Sequence, residues 1–177
     1  MTESVLHQRK AIDAELKRLA AEITRGETQP PALIGIRTHG VTVARRLADA
    51  IQAAGLPRPD LGAIDITLYR DDLAGRALPQ VHGSEIPFDI EGRRVVLVDD
   101  VLFTGRTVRA ALTELADYGR PRRIQLCVLV DRGHREVPIC ADFTGFQVET
   151  RPDQRIKVRL GESGSDTDAV VLLEGKE

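Results

Sequence analysis

The sequence predicts an α/β protein in which a mainly parallel central sheet is flanked by helices, with a β-hairpin at the C-terminal end. Three observations carry that prediction. Short apolar runs recur at ALIGI (32–36), VVLV (95–98) and IQLCVLV (124–130), the lengths of buried strands. Helical apolar spacing fills the segments between them, so helix and strand alternate from residue 4 to 130. The last stretch breaks that alternation and reads as two short strands around a turn.

Taken in order, Ile12, Leu16, Leu19 and Ile23 are spaced i, i+4, i+7, which predicts an amphipathic helix over about 4–25. GETQPP (26–31) ends it with a glycine and two prolines. ALIGI is the first expected strand. After RTHG (37–40), Val41, Ala44, Leu47, Ala48 and Ile51 form a second helical stripe, closed by Gly55. AIDITLYR (63–70) alternates Ile64, Ile66 and Leu68 with Asp65, Thr67 and Tyr69, the period of a strand. Residues 71–91 are polar and aperiodic, a length that marks a functional excursion rather than a plain connection. RRVVLV (93–98) is the clearest buried strand. The next helix is expected from about Gly105 to Tyr118, with Val108, Ala111, Leu112 and Leu115 inward and Gly119 as its cap. IQLCVLV follows as a strand, and RIKVRL (155–160) and DAVVLLE (168–174) flank GESGSDT as a hairpin.

One domain spanning 1–177 accommodates this pattern, because a chain of 177 residues buries a substantial core. A net charge of −2 removes the signature of a protein that binds nucleic acid over its whole surface and leaves only a local basic patch. Aromatics at 3%, with no Trp, weaken any scheme built on stacking bases against rings. MTESVLHQRK lacks the apolar core of a signal peptide and no run approaches a membrane span, so the expected compartment is the cytoplasm. Cys127, inside an apolar run, reads as a small buried hydrophobe, and nothing demands that it pair with Cys140.

Ligands of open α/β sheets sit at the carboxyl ends of the strands. Three polar, glycine-containing loops leave such ends: RTHG (37–40), DDVLFTGRT (99–107) and DRGHRE (131–136). In the middle loop, a helix start with free N–H groups, the hydroxyls of Thr104 and Thr107, and Gly105 together suit a phosphate monoester. Asp99 and Asp100 would repel that phosphate, so they should face sugar hydroxyls or a divalent cation. The implied ligand is a phosphorylated sugar with free hydroxyls, bound with Mg²⁺. The loop departs from G-x-x-x-x-G-K-[ST], which argues against a Walker-type triphosphatase.

VVLVDDVLFTGRTV resembles the phosphoribosyl pyrophosphate signature of type I phosphoribosyltransferases. GIRTHG, DITLYRDDL, IPFDI, GRPRRIQL and LVDRGHREVPI narrow the likeness, since they resemble blocks of the pyrimidine operon attenuation proteins with uracil phosphoribosyltransferase activity (the PyrR family). The blocks run in order from residue 35 to about 143. The resemblance implies a type I phosphoribosyltransferase fold with a small hood, and conversion of uracil and phosphoribosyl pyrophosphate to UMP and pyrophosphate. Asp99 and Asp100 would hold the ribose hydroxyls. Within the loop Val101, Leu102, Phe103, Thr104, Gly105, Arg106 and Thr107, the last four would hold the 5′-phosphate. Arg37, Thr38, His39 and Gly40 would form the pyrophosphate loop, and Tyr69, Arg70, Asp71 and Asp72 a mobile flap that brings Arg70 to the leaving group. Phe103, Asp131, Arg132, Gly133 and His134 would lie beside the base. Catalysis would rest on Arg37, Arg70, Asp99 and Asp100, with Mg²⁺ carried by phosphoribosyl pyrophosphate and no direct metal ligand from the protein. Purine-using relatives carry an acidic residue where Phe103 stands, which fits a pyrimidine here.

Family members also bind the leader mRNA of pyrimidine genes in a UMP-dependent way, and form homodimers or homotetramers. The family's helix block Arg-Ile-Ala-His-Glu appears here as Arg18-Leu19-Ala20-Ala21-Glu22, so Ala21 replaces a histidine. Its block Arg-Ala-Asp-(Tyr/Phe)-Val-Gly-Lys is Cys140-Ala141-Asp142-Phe143-Thr144-Gly145-Phe146, which loses two basic positions. Arg132, Arg135, Arg151, Arg155, Lys157 and Arg159 remain as candidate phosphate contacts. Three readings follow: an enzyme that is also an RNA regulator, a salvage enzyme only, or a nucleotide-sensing regulator with an idle site.

Overall fold

The computed structural model describes residues 2–67, 83–161, 164 and 167–175. In chain order the elements are β1 (Glu3–Gln8), α1 (Arg9–Ile23), β2 (Ala32–Ile36), α2 (His39–Ala53), β3 (Leu61–Ile64), β4 (Arg94–Leu102), α3 (Arg106–Leu115), β5 (Arg123–Asp131), β6 (Phe143–Gln147), β7 (Arg155–Arg159) and β8 (Ala169–Leu173). A short 3-10 turn, Ala116–Tyr118, follows α3.

Five strands form a parallel sheet in the order β3-β2-β4-β5-β6. Its two faces bury alternate residues of the same strands, as the pleat requires. Val96, Val98, Cys127 and Leu129 meet Ile12, Leu16, Leu19, Val43, Leu47 and Ile51 from α1 and α2. Val95, Leu97, Leu126 and Val128 meet Val108, Ala111 and Leu115 from α3. Cys127 is a free, fully buried thiol that burial pushes up to about 12, and Cys140 is free and exposed.

β1, β8 and β7 make a second, antiparallel sheet in that order. Val158 and Val170 join the α1–α2 side of the core. A buried ion cluster fastens this small sheet down: Arg46 of α2 reaches Asp168 at 2.6 Å and also pairs with Asp13 of α1. The other Asp168 oxygen accepts the Gly161 N–H at 2.8 Å.

Several sequence expectations change. The first helix begins at Arg9, not near residue 4, because residues 3–8 pair with β8 as a strand. The strand expected over 63–70 is β3 at 61–64, and residues 68–82 lie outside the description. The strand at 93–98 continues to Leu102, held by pairing of Val101 with Val130 and of Leu102 with Asp131. Asp99 and Asp100 therefore sit within the last four residues of this strand rather than beyond it. Leu112 is exposed on α3 while Ala110 faces inward. Phe143–Gln147, which shows no clear period, is a parallel edge strand on β5. The C-terminal hairpin forms as expected, with β1 added. Among the described residues, no helix is long and apolar enough to cross a membrane.

Candidate active site

The three glycine-containing loops meet where β2, β4 and β5 end. The 37–40 loop leaves β2 with the Arg37 N–H bonded to the Ile64 carbonyl at 2.9 Å, and the Arg37–Thr38 peptide is cis. α2 then starts at His39. Gly40 rests directly on β4: a Cβ there would stand 2.4 Å from the Val98 carbonyl oxygen and 3.1 Å from the Asp99 Cα. Any larger residue would push this loop away from the aspartates. Thr38 and His39 are exposed beside it.

Asp99 is 7% exposed, and its Oδ1 accepts the Asp100 N–H at 2.9 Å. No cation neutralises it among the described residues. Burial raises its carboxyl well above the usual range, and the neighbouring Asp100 charge adds to the effect. Asp100 is half-buried.

The next loop turns on Gly105, whose φ of +90° is a conformation that favours glycine. α3 begins at Arg106, so the first-turn amides of Arg106 and Thr107 face outward at its positive end. The Thr104 hydroxyl is 3.4 Å from the Arg106 N–H, and Thr107 is exposed. The Thr104 carbonyl is spent elsewhere, accepting the N–H groups of Glu136 and Val137 at 2.9 and 3.1 Å. Those bonds stitch the 99–107 loop to the 131–136 loop. Arg106 adds an ion pair to Glu136 at 2.7 Å, and the Arg132 N–H donates to the Leu102 carbonyl at 3.1 Å.

Phe103 is the centre of the third side. The buried Arg132 guanidinium lies 3.9 Å from its ring centroid, and the His134 ring meets it edge-on at 5.8 Å. His134 has a φ of 60°, and its Nε2 lies 2.7 Å from the Thr150 carbonyl. Arg132 donates to the Thr150 hydroxyl and the Arg151 carbonyl, both at 3.2 Å. Asp131 accepts the Gly133 N–H at 2.9 Å and pairs with Arg135. Burial alone would raise its carboxyl, but the Arg135 guanidinium and that amide outweigh it and hold the group below its ordinary value. The side chains of Asp131 and Arg132 are thus occupied in shaping the loop. What the loop offers a ligand is the Phe103 ring, backbone groups and the exposed Gly133–His134 turn.

One expected side chain does not join this cluster. The Arg37 side chain lines a cavity of about 200 Å³ with Leu61, Ala63, Glu85 and Pro87, on the β3 side, and its NH2 is 3.8 Å from Glu85. Its Nε is buried with no partner among the described residues. Tyr69, Arg70, Asp71 and Asp72 lie outside the described residues. Arg135 and Thr150 were not expected in the site. Arg135 bonds the Phe103 carbonyl at 2.8 Å as well as Asp131, and so sets the position of the ring. The Asp131–Arg135 spacing of four residues was the available signal for Arg135. Thr150 sits outside every motif and carried none.

The two blocks that differ from the family's RNA pattern are neighbours in space. Arg18 donates to the Thr144 carbonyl at 2.6 Å and pairs with Glu15 and Glu22, and His7 stacks on Phe146 at 3.8 Å. Ala21 and Cys140 are exposed.

A parallel sheet with an acidic pair at the end of one strand and an open helix start behind it matches the phosphoribosyl transferase domain, which covers residues 3–161. The chain is 50% identical to the bifunctional protein PyrR of Roseiflexus sp. (strain RS-1), over 94% of this chain and 95% of the relative. It is 54% identical to the protein of that name from Chloroflexus aurantiacus, over 90% and 89%, and 49% identical to one from Listeria monocytogenes, over 95% of each. The chain belongs to the phosphoribosyltransferases and, among them, to the PyrR family. Among solved structures it is similar to the hypoxanthine phosphoribosyltransferase of Trypanosoma cruzi, with a TM-score of 0.70 and 21% identity over 98% of this chain and 97% of that one. A hypoxanthine-guanine phosphoribosyltransferase from Bacillus anthracis gives 0.67 at 21% identity over 85% of each. At that identity the likeness speaks to the fold alone.

Proposed function

We propose that this protein is a cytoplasmic uracil phosphoribosyltransferase that also regulates pyrimidine genes by binding their leader mRNA with UMP. The observation that carries the enzymatic reading is the convergence of three loops on one cleft: Gly40 seated against Asp99, and the Thr104 loop stitched to residues 136 and 137. That cleft offers a ligand two chemically opposite ends. Asp99 and Asp100 accept hydrogen bonds from ribose hydroxyls, while Thr104, Gly105, Arg106 and Thr107 present amides and hydroxyls to the 5′-phosphate.

In the reaction, the bond from the ribose C1 to the diphosphate oxygen breaks and a bond from C1 to a uracil ring nitrogen forms. The uracil nitrogen loses its proton, and pyrophosphate leaves. Positive charge collects on the ribose, so the protein's task is to hold the sugar, accommodate the departing anion and keep water away. The 37–40 loop, which Gly40 brings next to Asp99, would receive the anion, and Arg70 of the expected flap would close over it. Phe103, backed by Arg132, gives the base an apolar platform without a general base, which suits the fairly acidic ring N–H of a pyrimidine.

Among the described residues no group of three or more His, Cys, Asp or Glu side chains is placed to hold a metal. The buried Asp99 beside Asp100, with no cation of its own among the described residues, nevertheless suits a divalent cation carried nearby by substrate oxygens. Mg²⁺ bound in this way would neutralise the leaving diphosphate.

Pyrophosphate release is measured with uracil, phosphoribosyl pyrophosphate and Mg²⁺. The expected result is turnover with uracil and little with hypoxanthine; no turnover with uracil refutes the enzymatic reading. For the regulatory half, affinity for the 5′ leader of the organism's own pyrimidine genes should exceed that for scrambled RNA and rise with UMP. Equal affinities refute it.

A further inference from the structure

Most arginines among the described residues are engaged in ion pairs or hydrogen bonds. Among the described residues, five guanidinium groups make no hydrogen bond or ion pair: Arg25, Arg120, Arg122, Arg123 and Arg155. Arg155 stands apart on β7. The other four belong to the opposite end of the central sheet from the active-site cleft, where β4 and β5 begin and α1 ends.

Neighbouring contacts place Arg122 and Arg123 beside Arg94, near the end of α1. Arg94 and Arg123 are register partners on the parallel strands β4 and β5, so they share a side of the sheet. Arg94 reaches the Ile23 carbonyl at the end of α1, two residues before Arg25. Arg122 and Arg123 are close enough to Arg94 that their charges depress its guanidinium, after burial, which acts first. Arg122 also walls a cavity of about 400 Å³ with Arg93, Arg94 and the segment 27–31. Of the acids nearby, Glu27 pairs with Arg94 at 3.2 Å and Asp60 with Arg93 at 2.8 Å. Glu91 accepts the Arg120 backbone N–H at 2.8 Å, and Asp142 accepts the Gln125 side-chain amide and the Leu126 N–H.

This concentration is unusual for a chain of net charge −2. Unpaired like charges held together repel, and a polyanion relieves that repulsion. Phe88, the ring on this side, is already covered by Arg93 at 5.3 Å, so the face offers charge without a platform for bases. By contrast, the cations expected to meet RNA are largely spent inside the molecule: Arg132 and Arg135 on the base loop, Arg151 on Glu174, and Arg159 on Glu3.

We infer that the phosphodiester backbone of the RNA docks on this base face, through Arg25, Arg120, Arg122 and Arg123, on the far side of the sheet from the uracil site. The inference rests on the reading that the protein binds leader RNA. It explains how binding survives the basic positions lost at Ala21, Cys140 and Phe146. Contacts of this kind set affinity and its salt dependence and do not read sequence.

The test compares two double variants of equal charge, Arg122→Gln with Arg123→Gln, and Arg155→Gln with Lys157→Gln. Affinity for the leader RNA with UMP is measured across a salt series, and UMP formation is measured in parallel. Losing two phosphate contacts should lower affinity about ten-fold near physiological salt and reduce the log–log salt slope by about 1.4. UMP formation should be unchanged, and the β7 pair should stay within about two-fold of wild type. If the Arg122 and Arg123 variant binds as wild type does, or both pairs weaken binding equally, the base face is refuted and leader binding stands. If wild-type protein does not prefer the leader over scrambled RNA, the regulatory reading itself fails and this inference falls with it.

Discussion

Two buried aspartates in this molecule have opposite circumstances. Asp168 is 2% exposed and fully matched, with one oxygen on the Arg46 guanidinium and the other on the Gly161 amide. Asp99 is 7% exposed and has one backbone N–H and a second carboxylate for company. A buried carboxyl without a partner costs stability when ionised, so it either keeps its proton or is completed by something outside the fold, which marks Asp99 as a candidate site. Asp168 and Arg46 bind the small sheet to α1 and α2. On the proposed reading a bound substrate completes Asp99, and Gly40 lets the 37–40 loop approach the same place.

Substitutions separate the two roles. The largest effect belongs to Asp100→Asn, which removes a charged acceptor from the sugar in the transition state. UMP formation should fall by at least about 100-fold with the fold intact, and normal rates would end the assigned role. Asp168→Ala should do the reverse. It leaves Arg46 half-paired and buried, so stability drops by about 3–5 kcal/mol in a denaturant titration, while folded molecules turn over normally. Asp99→Asn should lose activity yet gain stability without ligand. A rise in Tm of about 2–4 °C at pH 7 corresponds to roughly 1 kcal/mol in a protein of this size. The smallest and most specific effect is on pH dependence. Because burial raises the Asp99 carboxyl in the folded state, its proton stabilises the fold below the unfolded value near pH 4 and that contribution is lost as pH rises through the folded value. The Tm gap between wild type and Asp99→Asn should therefore vanish in acid and open on the way to neutrality. A gap independent of pH would place its cause elsewhere.

The central strands and the cleft were legible because they depend on local signals. ALIGI, VVLV and IQLCVLV carry their burial in composition, and all three became strands of the parallel sheet. Loops leaving such strands fall at one edge by topology, so their convergence followed from element order. β1 and β6 were not legible. Glu3–Gln8 becomes a strand only because β8 offers it an edge, and Phe143–Gln147 only because β5 does. Pairing between distant segments leaves little trace in a short mixed sequence. The same distinction holds within the site. The Asp99–Thr107 loop announced its chemistry through residue types, whereas the support of His134 and Arg132 by Thr150 arises from a contact sixteen and eighteen residues away. The engagement of Asp131 and Arg132 in their own loop also needed coordinates, since a charged loop residue looks the same whether it faces a ligand or its neighbour.

The claim that Asp99 is buried for a ligand can be tested by calorimetry. Phosphoribosyl pyrophosphate with Mg²⁺ is titrated into wild type and Asp99→Asn at pH 6, in buffers of different ionisation enthalpy. Ligand hydroxyls and cation favour the ionised carboxylate, so wild type should release more protons on binding than the variant does. Equal proton release by the two proteins, with binding retained, would contradict the account.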